Sequence, residues 1–164
     1  MDFYGQYILE YILILGFSIL VALSTLSLVY DINEINTIMA SARSGVLLGS
    51  EMDGLAIYPH ETFDNYLENH PRLKIGSKIT FIRVLYEKEG YDPIYKKNKI
   101  KLKIYASTKS VYNTDDRECI GDRINYYVRR SICKSFKTEN LTNIYYNPAF
   151  SDNYFITTYD VSWI

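Results

Sequence analysis

The chain has 164 residues with 18 Lys and Arg against 19 Asp and Glu, a formal charge of −1. That balance provides no global field to attract nucleic acid or an acidic membrane surface, and the length allows one modest globular domain plus a membrane segment. Only Arg43 among the cations, and Asp2, Glu10, Asp31 and Glu34 among the anions, precede residue 51, so the remainder is near neutral with 17 cations against 15 anions.

In chain order, the first feature is a charge-free run from Tyr11 to Tyr30 with Glu10 at its mouth. At about 1.5 Å rise per residue, a helix of about 20 residues crosses the ~30 Å hydrocarbon layer of a bilayer. A secretory signal peptide fits poorly, because MDFYG lacks Lys and Arg, the apolar run is too long, and Asp31 to Glu34 do not resemble a cleavage site. Past Tyr30 the apolar positions Leu28, Ile32, Ile35, Met39, Ala42 and Val46 alternate spacings of four and three, a heptad-type stripe. The pattern predicts a helix over 6–49 with its membrane part at 11–30, weakened at Gly45 and Gly49 and ended by a left-handed cap at Gly49 or Gly54. Its first half is apolar all round and its second half on one face only.

Residues 50–164 read as a small α+β domain with an antiparallel sheet and one or two packed helices. A turn at Ile57-Tyr58-Pro59 leads to a short helix over Glu61 to Glu68, closed by His70-Pro71. Lys78 to Glu87 reads as a strand, with Ile82, Val84 and Tyr86 on one face and Phe81, Arg83 and Leu85 on the other. After a connection through Gly90 to Pro93, Ile100, Leu102 and Ile104 alternate strictly with Lys99, Lys101 and Lys103, the clearest strand in the chain. Asp122 is the expected cap of a helix to about Phe136, with Ile124, Val128, Ile132 and Phe136 inward. A last strand, Tyr154 to Trp163, would turn Phe155, Tyr159, Val161 and Trp163 inward. The 17 tyrosines suit half-exposed contact surfaces, and strand propensity accounts for them equally well.

Few side chains suggest reaction chemistry. Cys119 and Cys133 are disulfide candidates if the domain lies outside the cell, but a helix from Asp122 would hold Cys133 too far along its axis, so a bridge requires a later helix start. They lack a CxxC partner, and His60 and His70 are distant in sequence, which argues against zinc. His60, Glu61, Asp64 and Glu68, and the acids around Asp115-Asp116 and Glu118, lack recognisable ligand spacing. Lys96, Lys97, Lys99, Lys101 and Lys103 could suggest a polyanion site, but strict alternation puts Lys99, Lys101 and Lys103 on the solvent face of one strand, where their charge blocks edge-to-edge pairing. Asn140-Leu141-Thr142 fits the N-glycosylation acceptor pattern. No Gly-rich phosphate loop, GxSxG elbow or nucleophile and base pair is present, so an enzyme, a cofactor and a metal are not expected.

The segment Gly5, Gln6, Tyr7, Ile8, Leu9, Glu10, Tyr11, followed directly by the apolar run, resembles the class III signal peptide of archaeal type IV pilins and pilin-like proteins. The resemblance covers roughly the first 30 residues. It implies a leader at 1–5, cleavage by a membrane prepilin-type peptidase between Gly5 and Gln6, and assembly roles for Glu10 and the aromatic Tyr11. It also implies self-assembly with like subunits through the N-terminal helix, dependent on assembly machinery, into a cell-surface filament with an adhesion or minor pilin role. The product would be single-pass in the cell membrane with its C-terminal domain extracellular. Flanking charge alone, with Asp2 and Glu10 before the run and Arg43 after it, slightly favours the opposite orientation. The alternative from another class is a single-pass anchored extracellular binding or sensor domain that does not polymerise. Small and hydroxylic residues on the apolar helix, Gly16, Ser18, Ala22, Ser24, Thr25 and Ser27, suit close packing in a bundle or ordinary membrane-helix composition.

Overall fold

A computed structural model describes residues 3–51, 79–108 and 113–164. The expectations at Gly54, Ile57 to Pro59, Glu61 to Glu68 and His70-Pro71 lie outside the described residues. The chain divides into two compact units, 1–36 and 37–164, within the span of the first helix.

Helix α1 covers Phe3–Glu51. In the first unit its residues Tyr7 to Tyr30 are exposed, including Leu13, Phe17 and Leu23 at more than 60 %. Hydroxyls that lack a partner in an apolar setting turn back on the helix: Ser18 Oγ donates to the Ile14 carbonyl at 2.8 Å and Ser24 Oγ to the Leu20 carbonyl at 2.9 Å. Helix 6–50 is long and apolar enough to span a membrane, with a mean hydropathy of 2.5 in its most apolar window and none of that window buried. The core helix of a soluble protein would be mostly buried, and this one is not.

In the second unit α1 continues through Gly45 and Gly49, which neither end nor break it. Its buried residues are Ile38, Ser41, Ala42, Gly45, Val46, Gly49 and Ser50. The expected stripe is therefore rotated, with Ile38 fully buried and Met39 only half-buried.

The α+β class expected from sequence is the class observed, with a mixed sheet. Strands β1 (Ile79–Asp92) and β2 (Lys97–Thr108) form an antiparallel hairpin, and helix α2 (Thr114–Phe136) follows. Then come a 3-10 turn at Glu139–Leu141 and strands β3 (Ala149–Phe150), β4 (Tyr154–Thr158) and β5 (Ser162–Trp163). The order is β1-β2-β4-β3, with β5 also on β2. Both β4 and β5 run parallel to β2, while β3 and β4 are antiparallel. The sheet is thus not antiparallel throughout, because α2 is long enough to return the chain to the end at which β2 began, as a parallel crossover requires. The expected single strand from Tyr154 to Trp163 is broken at 159–161. Tyr154, Phe155, Ile156 and Val161 are buried, whereas Tyr159 and Trp163 are half-buried.

Turn chemistry fixes the hairpin. Asp92 Oδ1 accepts from the Ile94 and Tyr95 amides at 2.8 and 3.1 Å, and Lys96 takes a left-handed φ of 53°. Gly90, expected in the connection, belongs to β1, where its φ of 92° sits at a register shift between Lys88 and Gly90. A second shift, between Phe81 and Arg83, disrupts the predicted alternation, so Val84 is buried while Ile82, Leu85 and Tyr86 are exposed.

Helix α2 begins at Thr114, eight residues before the expected Asp122 cap. Asn113 caps it, its side chain accepting from the Asp116 amide at 2.8 Å, and Asp115 and Asp116 occupy the positive end of the macrodipole. It ends in a left-handed Lys137, with the Thr138 amide donating back to the Cys133 carbonyl at 2.9 Å. Ile120, Ile124, Val128 and Ile132 form its fully buried ridge. The core also takes Ile100, Leu102, Ile104 and Ile156 from the sheet.

Candidate assembly site and domain contacts

The structure places the N-terminal candidates on one helical segment. Gly5 and Gln6 lie inside α1, and Gln6 Nε2 donates to Glu10 Oε1 at 3.4 Å, an exposed contact across one turn. The bond is long, and the amide is a neutral donor, so it does not cancel the charge of the carboxylate. Tyr11, the next residue, is 71 % exposed. Gly5, Gln6, Glu10 and Tyr11 are thus brought together by sequence proximity in one helix.

The two cysteines are not brought together. Both lie in α2, and 14 residues of helix separate them by about 21 Å, several times the reach of a disulfide. They are free and buried. This overturns the pairing, since the helix starts before Cys119 and not after it. Burial pushes the Cys119 thiol up to about 11 and raises that of Cys133 as well. Both are packing residues with little thiolate at neutral pH.

A contact that sequence reasoning missed joins the end of α1 to α2. A Cβ on Gly45 would lie 2.5 Å from Val128 Cα and 2.6 Å from the Tyr127 carbonyl oxygen, and one on Gly49 would lie 2.8 Å from Ile124 Cα. Ser41 Oγ meets Ser135 Oγ at 2.7 Å. Partners fall in number from 135 to 124 as α1 rises from 41 to 49, so the helices run antiparallel. The signal was legible as three small residues four apart, the spacing that allows two backbones to touch. Reading the glycines only as helix breakers concealed it.

The lysine row is solvent-facing as expected, but β2 is central and not an edge, so the charges guard no free edge. They are engaged on the open face of the sheet. Lys99 pairs with Glu89 at 2.6 Å, Lys101 Nζ lies 3.8 Å from the centre of the Tyr159 ring, and Arg83 lies 4.6 Å from that of Tyr105. The Tyr159 hydroxyl donates to Glu87 Oε2 at 3.1 Å. That bond leads the causes that raise the Tyr159 pKa, and the Lys99 hydrogen bond holds the Glu89 carboxyl below its usual range. The tyrosines divide by role: Tyr126, Tyr127 and Tyr154 are core, while Tyr91 and Tyr86 face solvent.

One open cleft of about 500 Å³ lies between the N-terminal half of α2 and residues 160–163, walled by Arg117, Glu118, Asp122, Asn125, Asp160 and Trp163 among others. Asn125 Nδ2 donates to the Tyr159 carbonyl at 3.0 Å and ties the break between β4 and β5 to the helix. Its walls can offer hydrogen bonds and charge. Its lining also includes the Thr114 hydroxyl, and no group of three metal-ligating side chains occurs among the described residues. Asn140 is exposed at the 3-10 turn beyond α2. Comparison with protein-family models, with curated proteins and with solved structures gave no match.

Proposed function

We infer that the chain is a pilin-like structural subunit, cut between Gly5 and Gln6 and assembled through α1 into a surface filament. The observation that carries this reading is the placement of Glu10 one turn beyond Gly5-Gln6, at the mouth of an exposed apolar helix. Before cleavage no acidic residue lies in the first turn of α1. Cleavage would move the helix start to Gln6 and place Glu10 near the positive end of the macrodipole. It would also expose an amine at Gln6.

In a filament, the amine of one subunit and the Glu10 carboxylate of its neighbour would neutralise each other within apolar surroundings. A buried carboxylate alone costs several kcal/mol, so correct stagger is rewarded and wrong stagger penalised. The long apolar helix followed by a small sheet domain is compatible with this architecture. The domain would be displayed on the outer side of the membrane, with Tyr86 and Tyr91 among its exposed contacts.

The test is the mass of the N-terminal peptide of the protein purified from membranes, together with a Glu10→Ala variant. The reading expects a chain beginning at Gln6 and a Glu10→Ala chain that inserts but does not assemble. An intact Met1 in the membrane fraction would instead mark a single-pass anchored domain, and normal filaments from Glu10→Ala would refute the pairing.

A further inference from the structure

We propose that Asn140 carries an N-linked glycan, an inference that rests on the outward placement of the domain and not on filament assembly. Asn140-Leu141-Thr142 is the one Asn-x-Ser/Thr triplet in the 164 residues. The structure separates this asparagine from its neighbours in the same loop. Asn143 is committed to the fold: its Oδ1 accepts from the Tyr145 and Asn147 amides at 3.0 and 3.1 Å, and its Nδ2 donates to the Asn147 carbonyl at 2.8 Å. Asn140 is exposed, and its side chain has no bond to the described residues. An attached group there displaces nothing.

A second observation concerns what surrounds it. Leu141 is 60 % exposed, Ile144 66 % and Tyr145 40 %, all within five residues of Asn140. Each of these large apolar side chains is left in water on the loop that carries Asn140, close to it in sequence.

The transfer joins Asn140 Nδ2 to the anomeric carbon of a sugar carried on a polyprenyl phosphate. The anomeric C–O bond breaks, the lipid phosphate leaves with its electron pair, and one Nδ2 proton passes to a base of the transferase. In the folded loop, the hydroxyl of Thr142 that completes the acceptor pattern donates to the Pro148 carbonyl at 2.6 Å.

The experiment is peptide mass mapping of the full chain purified from the membranes of the cells that make it, with Asn140→Gln and Thr142→Ser variants alongside. The expected result is a saccharide mass on the peptide containing Asn140, lost completely in Asn140→Gln and kept in Thr142→Ser, which preserves the acceptor hydroxyl. A wholly unmodified Asn140 overturns the proposal. If that chain begins at Gln6, the filament reading survives; a glycosylated chain with Met1 intact removes the filament reading and leaves this one standing.

Discussion

Arg123 Nε donates to the Gly49 carbonyl at 2.9 Å in a buried contact, so a cation from the middle of α2 closes the C-terminal end of α1. The last carbonyls of a helix have no partner within it and carry the negative end of the macrodipole. No basic residue lies in the last turn of α1 itself. Arg123, only 8 % exposed, supplies from another element what the local sequence lacks. Arg123→Ala leaves that carbonyl without its charged donor and is expected to destabilise the domain by about 1–3 kcal/mol, measured by denaturant unfolding of the full chain in detergent. Arg123→Lys recovers only part of the loss, because its single ammonium does not reproduce the planar fork. An unchanged midpoint for Arg123→Ala would remove the capping role.

The same glycine substitution should have different consequences along α1. At Gly45 an added methyl meets the backbone of Tyr127 and Val128 below 3 Å, which no rotamer change relieves, so Gly45→Ala is expected to cost at least about 1–3 kcal/mol. At Gly16 a Cβ meets nothing within 4 Å, and helix propensity alone favours alanine by up to about 1 kcal/mol. Comparing the two unfolding midpoints checks this. Equal effects would show that the approach of α1 to α2 is not constrained at Gly45.

Cys119 and Cys133 should stay reduced and slow to react in the folded protein. With the Cys119 thiol at about 11 and both groups buried, alkylation at neutral pH is expected only after unfolding. Mass spectrometry without reductant should give the mass of two free thiols. A loss of two hydrogens from a monomer would contradict their placement in one helix.

Glu89 provides a pH test with a definite sign. Its carboxyl is held below the ordinary range chiefly by the Lys99 hydrogen bond. A depressed folded pKa contributes stability that is present above the unfolded carboxyl pKa and lost as the pH falls through the folded value. Lys99→Met should raise the Glu89 pKa toward the ordinary glutamate value, as read by carboxyl NMR titration, and remove that acid-side dependence. The pair is solvent-accessible, so high salt should weaken the effect in the wild-type chain. An unmoved titration in Lys99→Met would assign the depression to another group.

The sequence by itself determined the features whose cause is local or periodic. The apolar run from Tyr11 to Tyr30, the alternation of Ile100, Leu102 and Ile104 with lysines, the spacing from Ile124 to Ile132, and the approach of Gln6 to Glu10 each depend on residues a few positions apart. Tertiary structure decided what needed a distant partner. By contrast, the cap of α2 is local, Asn113 accepting from the Asp116 amide three residues on, and choosing it over Asp122 puts both cysteines in one helix and separates them. The crossover through α2 made β4 and β5 parallel to β2 and moved the lysine strand from an assumed edge to the centre. Gly45 and Gly49 read locally as weak points of a helix, because a glycine's conformational freedom is visible in one segment of chain. The space its missing side chain leaves has meaning only when Val128 and Ile124 arrive to fill it.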